Sequence, residues 1–289
     1  MLLTVGIFAM GCNRGIPDWL DFEVEFDLGE HYGSINRRRA NRIMDNWLDK
    51  VGSTIEDVAT FSPFIARQTT TGTRGINDGS EDIEESGITK SDGVNLSSKT
   101  VFNSRALDVF SMQSTDRYYL YNGVLQQMIE YESWHYNWDY NIGNSFVNGP
   151  EVICENNPTH LFIFKQRLFS KISPFSGFEI LGFTDLLKVN HRRSFVWGAE
   201  FTNGYAFMFN ITERFEMQEV EDVYQTGLGF ASLVFIFDKG GYLVEHALES
   251  DGRTYLTMNG EVSIFTTQFR TQTRIEYTIP TIEWPNFVS

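Results

Sequence analysis

The sequence predicts a mainly β protein: an antiparallel sandwich or barrel, a jelly roll being one form of it, preceded by a short N-terminal α/β arm. Three observations predict it. Residues 233–279 alternate strand-length apolar segments with turn residues. Asn-Gly pairs recur between β-rich runs, at Asn122-Gly123, Asn203-Gly204 and Asn259-Gly260. A type I′ hairpin turn needs positive φ at both central residues, and Asn-Gly supplies it at least cost. Aromatic residues make up 15% of the chain, with 25 Phe and 12 Tyr. Such side chains favour strands and large packed interfaces.

Composition bounds the function classes. A chain of 289 residues can bury one large β core or two small ones. Its 38 acidic and 23 basic residues give a formal charge of −15. That charge repels phosphate backbones and anionic lipid, so no nucleic acid or membrane partner is expected. The two cysteines, Cys12 and Cys154, are too few for a disulfide framework or a four-thiolate zinc site. No apolar run is long enough for a transmembrane segment.

Residues 1–67 form the arm. Its first ten residues are apolar and precede Gly11-Cys12. This resembles the end of a bacterial lipoprotein signal, which implies acylation of Cys12, although no Lys or Arg precedes the apolar part. The alternative, which we prefer, is a first strand or buried arm with a core cysteine. Residues 21–28 then alternate without fault. Phe22, Val24, Phe26 and Leu28 fall on one side and Asp21, Glu23, Glu25 and Asp27 on the other. Next, Ser34 or Asn36 caps a helix that carries Arg37, Arg38, Arg39 and Arg42, with Ile35, Ile43, Trp47 and Leu48 on its apolar face. Ser53-Thr54-Ile55-Glu56 has capping-box spacing and predicts a short second helix to Phe61. Arginine forks bind carboxylates bidentately. The arginine helix and the acidic strand are therefore candidate halves of an assembly interface, or else two solvated faces.

Residues 68–100 read as a polar connector, with six acidic and three basic side chains and few apolar ones. The β domain spans residues 101–289. Its most unusual stretch is Trp134-His135-Tyr136-Asn137-Trp138-Asp139-Tyr140. Read as one strand, it puts Trp134, Tyr136, Trp138 and Tyr140 on a single face. Such a row is either half of a sheet core or an exposed platform for glycan or peptide. The predicted strands continue through 151–154, 160–164, 194–197 and 205–209 to the C-terminal meander, which Pro280 ends.

No spacing of Ser, Cys, His or carboxylate residues suggests catalysis, a cofactor or a metal. The expected function is therefore non-enzymatic: a structural subunit of a large symmetric assembly, most simply a virus or phage particle (capsid, neck, tail or baseplate). Its partners would be itself and other structural proteins, and its location the virion or another extracellular assembly. The alternative is a lipoprotein-like module, anchored at a bacterial cell surface, that binds glycan or peptide through its aromatic face.

Overall fold

The computed structural model describes residues 23–51, 55–77, 79–106, 110–121, 124–137, 140–152, 189–220, 223–258 and 260–284. The mainly β, antiparallel class is what it shows. The elements run β1 (His31–Ser34), α1 (Arg37–Val51), α2 (Ile55–Phe61), β2 (Phe64–Ile76), β3 (Gly79–Ser91), β4 (Leu96–Ala106), β5 (Phe110–Tyr121), β6 (Val124–Asn137) and β7 (Tyr140–Val152). They continue as β8 (Val189–Phe201), β9 (Gly204–Val220), β10 (Val223–Asp238), β11 (Leu243–Met258) and β12 (Glu261–Glu276). All the strands belong to one sheet, ordered β1-β8-β9-β10-β11-β12-β2-β3-β4-β5-β6-β7. Two meanders, β2–β7 and β8–β12, are thus joined where β12 pairs with β2.

The reading of residues 68–100 as a polar connector is corrected here. Residues 68–100 are strands of the sheet, lying in β2, β3 and β4. Their polarity misled because few apolar side chains, Ile83 and Leu96 among them, are buried beside many hydroxyls and paired backbone groups. Threonine is β-branched and suits a strand. β2 has a partner on each side, so its backbone groups are used by β12 and β3. Buried hydroxyls meet in pairs across the ladders, Thr70 with Thr271 at 3.0 Å and Thr89 with Ser98 at 3.0 Å. A buried hydroxyl with a partner costs little.

The hairpins follow their turn chemistry. Tyr121 pairs with Val124 on either side of Asn122-Gly123, which lie outside the described residues. Met258 pairs with Glu261 around Asn259-Gly260, and Gly260 has φ +81°. Asn77 (φ 50°) opens the β2–β3 turn, at the run Asn77-Asp78-Gly79. The β3–β4 turn is set by Asp92, whose carboxylate accepts from the backbone N–H of Val94 (2.9 Å) and Asn95 (2.7 Å). The aromatic stretch is also corrected. Asn137 pairs with Tyr140 and Tyr136 with Asn141, so the chain reverses between them. Trp134 and Tyr136 stand in β6, Tyr140 in β7, and Trp138 outside the described residues. The period-two row of a single strand is therefore broken.

Two helices cover one face of the sheet. Asn36 is the N-cap of α1: its Oδ1 accepts from the Arg39 N–H at 3.0 Å. Ala40, Met44, Trp47 and Val51 recur every three or four residues and are all buried. They share a core with Val58 and Ala59 of α2 and with sheet residues from β9 across to β5, among them Phe207, Phe235, Ile275, Phe64, Leu96 and Leu120. Trp47 is its centre. Its ring lies edge-on to Phe61 at 5.1 Å, with Phe237, Tyr242 and Tyr277 around it.

The opposite face is covered at the same end by residues 23–30. This segment makes no strand pairing and bends at Phe26, which corrects the expected acidic strand. The alternation survives: Leu28 is buried, Val24 and Phe26 are half-buried, and Glu23, Glu25 and Asp27 are exposed. Leu28 packs with Ala199, Phe201, Ala206 and Ile236. The β8–β9 turn ties the segment down, with Thr202 N–H donating to the Glu30 carbonyl (2.8 Å) and Asn203 N–H to that of Leu28 (2.9 Å). Gly29 sits between these contacts at φ +71°, where a Cβ would lie 3.1 Å from Asn203 and from Thr202.

Candidate functional site

Among the described residues, the predicted acidic and arginine elements find partners elsewhere in the chain rather than each other. Arg39 reaches from α1 to Glu200 of β8. Lys239 Nζ donates to the same carboxylate at 2.9 Å, and Tyr32 Oη donates at 2.8 Å. Lys239 also lies over the rings of Tyr32 (4.8 Å) and Tyr205 (4.6 Å). Burial of Glu200 resists its ionisation. The hydrogen bonds from Arg39, Lys239 and Tyr32 outweigh that and hold its pKa down at about 2. This knot fastens β1 and α1 to the sheet.

Glu25 pairs with Arg274 of β12 at 2.5 Å. Glu245 lies beneath it, fully buried, accepting from the Glu25 N–H (3.1 Å), Gln272 Nε2 (2.6 Å) and Arg274 Nε (3.3 Å). Burial pushes the Glu245 carboxyl up, against the lowering effect of Gln272 and Arg274. Asp27 Oδ1 accepts from the Gly29 N–H at 3.0 Å, and Glu23 is exposed, its carbonyl taking a hydrogen bond from Gln272 Nε2 at 2.7 Å. Arg37, Arg38 and Arg42 stand exposed on α1. Asp21 and Cys12 lie outside the described residues.

The same face carries a groove beyond the N-terminal segment. Ladder partners lie on the same face of a sheet, so register alone defines two rows of side chains across five strands. One row is Thr71, Arg270, Glu249, Ser232 and Asn210; the other is Thr73, Gln268, Asp251, Phe230 and Thr212. Between the rows lies a groove of about 670 Å³, floored by the backbone of Gly72, Phe269, Ser250, Ala231 and Ile211. Five strands at roughly 4.8 Å spacing make it about 19 Å long. Neighbours within the rows hold one another. Ser232 Oγ donates to Asn210 Oδ1 (3.1 Å), Gln268 Nε2 donates to Asp251 Oδ2 (3.1 Å), and Arg270 Nε lies 3.6 Å from Glu249 Oε1. Phe230 stands half-exposed, at 51%. A Cβ on Gly72 would come within 2.1 Å of the Gln268 carbonyl oxygen, so the β2–β12 contact under the groove requires glycine there.

Further along this face, β10, β11 and β12 carry two uncharged rows, which the register continues onto β9 at Gln218 and Glu216. Tyr224, Thr257 and Val262 form one, and Thr226, Tyr255 and Ile264 the next. Val262 is 56% exposed and Tyr255 40%. Sequence reasoning missed both the groove and these rows. Phe230 sits in Gly227-Leu228-Gly229-Phe230-Ala231, which carries no signal of which neighbours flank it; only the register across β9, β10, β11, β12 and β2 brings them together.

Among the described residues, no three His, Cys, Asp or Glu side chains stand close enough to hold a metal ion. No described helix is long and apolar enough to cross a membrane. Comparisons with protein-family models, with curated proteins and with solved structures found no match for this chain.

Proposed function

We propose that this chain is a non-enzymatic structural subunit that assembles with copies of itself, and that the uncharged end of β10–β12 is the self-contact. The observation that carries this reading is the exposure of Tyr224, Tyr255, Val262 and Ile264 on neighbouring rows, at 39%, 40%, 56% and 39%. Contiguous apolar surface of this kind is what association removes from water. A chain of charge −15 has reason to meet its copies through an uncharged patch, since like surfaces repel elsewhere. A virus or phage particle is the class of assembly that the aromatic, β-rich composition suggests. The expected arginine–carboxylate clip is the weaker candidate for the contact, because Arg39 and Glu25 have partners within the subunit.

Native mass spectrometry of the full chain tests this. The expected result is a defined homo-oligomer that Tyr255→Lys with Ile264→Lys converts to monomer while circular dichroism stays unchanged. A monomeric wild type, or an oligomer indifferent to both substitutions, overturns the proposal.

A further inference from the structure

We propose that the groove beside Phe230 binds a linear, uncharged saccharide chain. This rests on the groove alone and is independent of the assembly reading. A sugar ring has two recognisable features: a face of C–H groups and an edge of hydroxyls that both donate and accept. The groove offers a counterpart to each. Phe230 presents a half-exposed ring in one row, between Asp251 and Thr212. Aromatic faces pack against such apolar surface at small entropic cost, because the ring has few rotatable bonds. Around it stand planar polar groups of mixed sense: Asp251 and Glu249 accept, Arg270 donates, and Gln268 and Asn210 do both. Carboxylates, guanidinium groups and primary amides each have capacity beyond one hydrogen bond. Their cross-strand pairing, at 3.1 Å for Gln268–Asp251 and for Ser232–Asn210, fixes their orientation before any ligand arrives. Preorganisation of this kind lowers the ordering cost of binding.

The shape and charge of the groove exclude other occupants. At about 19 Å it is longer than a single ring needs, so an oligomer suits it better than a monosaccharide. It runs across the strands, and their backbone groups are already paired to one another. An extended peptide could not add as a strand there and would lose the main-chain bonds that give such peptides affinity. Two carboxylates against one guanidinium, in a chain of charge −15, disfavour sulfated or uronic acid polymers.

Isothermal titration of the full chain with hexamers of β-1,4-linked glucose, xylose and N-acetylglucosamine tests the proposal. A heparin hexamer and a Gly/Ser peptide of similar length are the comparison ligands. The expected result is saturable binding of at least one neutral hexamer, weakened about tenfold by Phe230→Ala. Phe230→Trp should retain it, and Ile264→Lys should leave it unchanged. Both Phe230 and Ile264 are exposed, so these variants keep the fold, which circular dichroism confirms. No saturable binding of any neutral hexamer, undiminished binding by Phe230→Ala, or binding of only the heparin or the peptide would each overturn it.

Discussion

Glu200 and Glu245 are both buried carboxylates, yet their surroundings push them in opposite directions. Two cations and a phenol converge on Glu200, and its pKa falls from the usual 4.5 to about 2. Glu245 is sealed under the N-terminal segment, and burial dominates, so its pKa rises. The two therefore bend the stability curve oppositely. Ionised Glu200 favours the fold above about pH 4.5, and that contribution is lost as pH falls toward 2. Glu245 favours the fold while it is protonated, and its contribution is lost as pH rises through its folded-state pKa. Replacing Glu200 with Gln should cost about 1–3 kcal/mol at neutral pH. The variant should also lose less stability than the wild type between pH 4.5 and 2. Urea midpoints measured across that range check this, and parallel curves for the two proteins would count against the knot around Glu200.

The helices and strands take their places for different reasons. α1 is legible from its sequence: an Asn cap, an apolar stripe at helical spacing and charges elsewhere. Even so, Ala40 and Met44 belong to the buried stripe and were not singled out, because small and flexible side chains signal burial weakly. Trp47 contributes to the core through its rings alone; its indole N–H has no hydrogen-bond partner among the described residues. Trp47→Ala should therefore destabilise by about 3–5 kcal/mol. Trp47→Phe should cost markedly less, since it keeps one ring and forfeits no hydrogen bond. Thermal unfolding of both variants distinguishes this from a role for the N–H, in which case the two would fall together. β2 and β3 show the reverse case. Their composition reads as a loop, and they are strands because β12 and β4 stand on either side of them.

At the scale of the whole molecule, charge and topology work on assembly together. A net charge of −15 makes copies repel, and salt screens that repulsion. Raising ionic strength from about 0.01 M to about 1 M shortens the screening length from about 30 Å to about 3 Å. Contact through Tyr255, Val262 and Ile264 should therefore strengthen with salt. Contact through Asp21, Glu23, Glu25 and Asp27 against Arg37, Arg38, Arg39 and Arg42 would weaken. Sedimentation velocity across that range separates the two. The meander β8–β12 carries the N-terminal segment, most of the groove and the uncharged rows on one face, and the pairing of β12 with β2 extends the groove to Thr71 and Thr73.

Features whose physics is local were legible along the chain. Turn residues that tolerate positive φ marked the β5–β6 and β11–β12 hairpins, and helical spacing with a capping residue marked α1. The alternation of exposed and sheltered side chains in residues 23–28 held although the segment is not a strand and bends at Phe26. Tertiary structure decided everything that depends on neighbours far apart in the chain. Thr70 meets Thr271 across 201 positions, and Arg39 meets Glu200 across 161. Nothing near Thr70 or Arg39 in sequence names those partners. The two rows of the groove have the same origin. A register across five strands is a property of the assembled sheet, and a shift of one residue in any strand would turn its side chains to the other face.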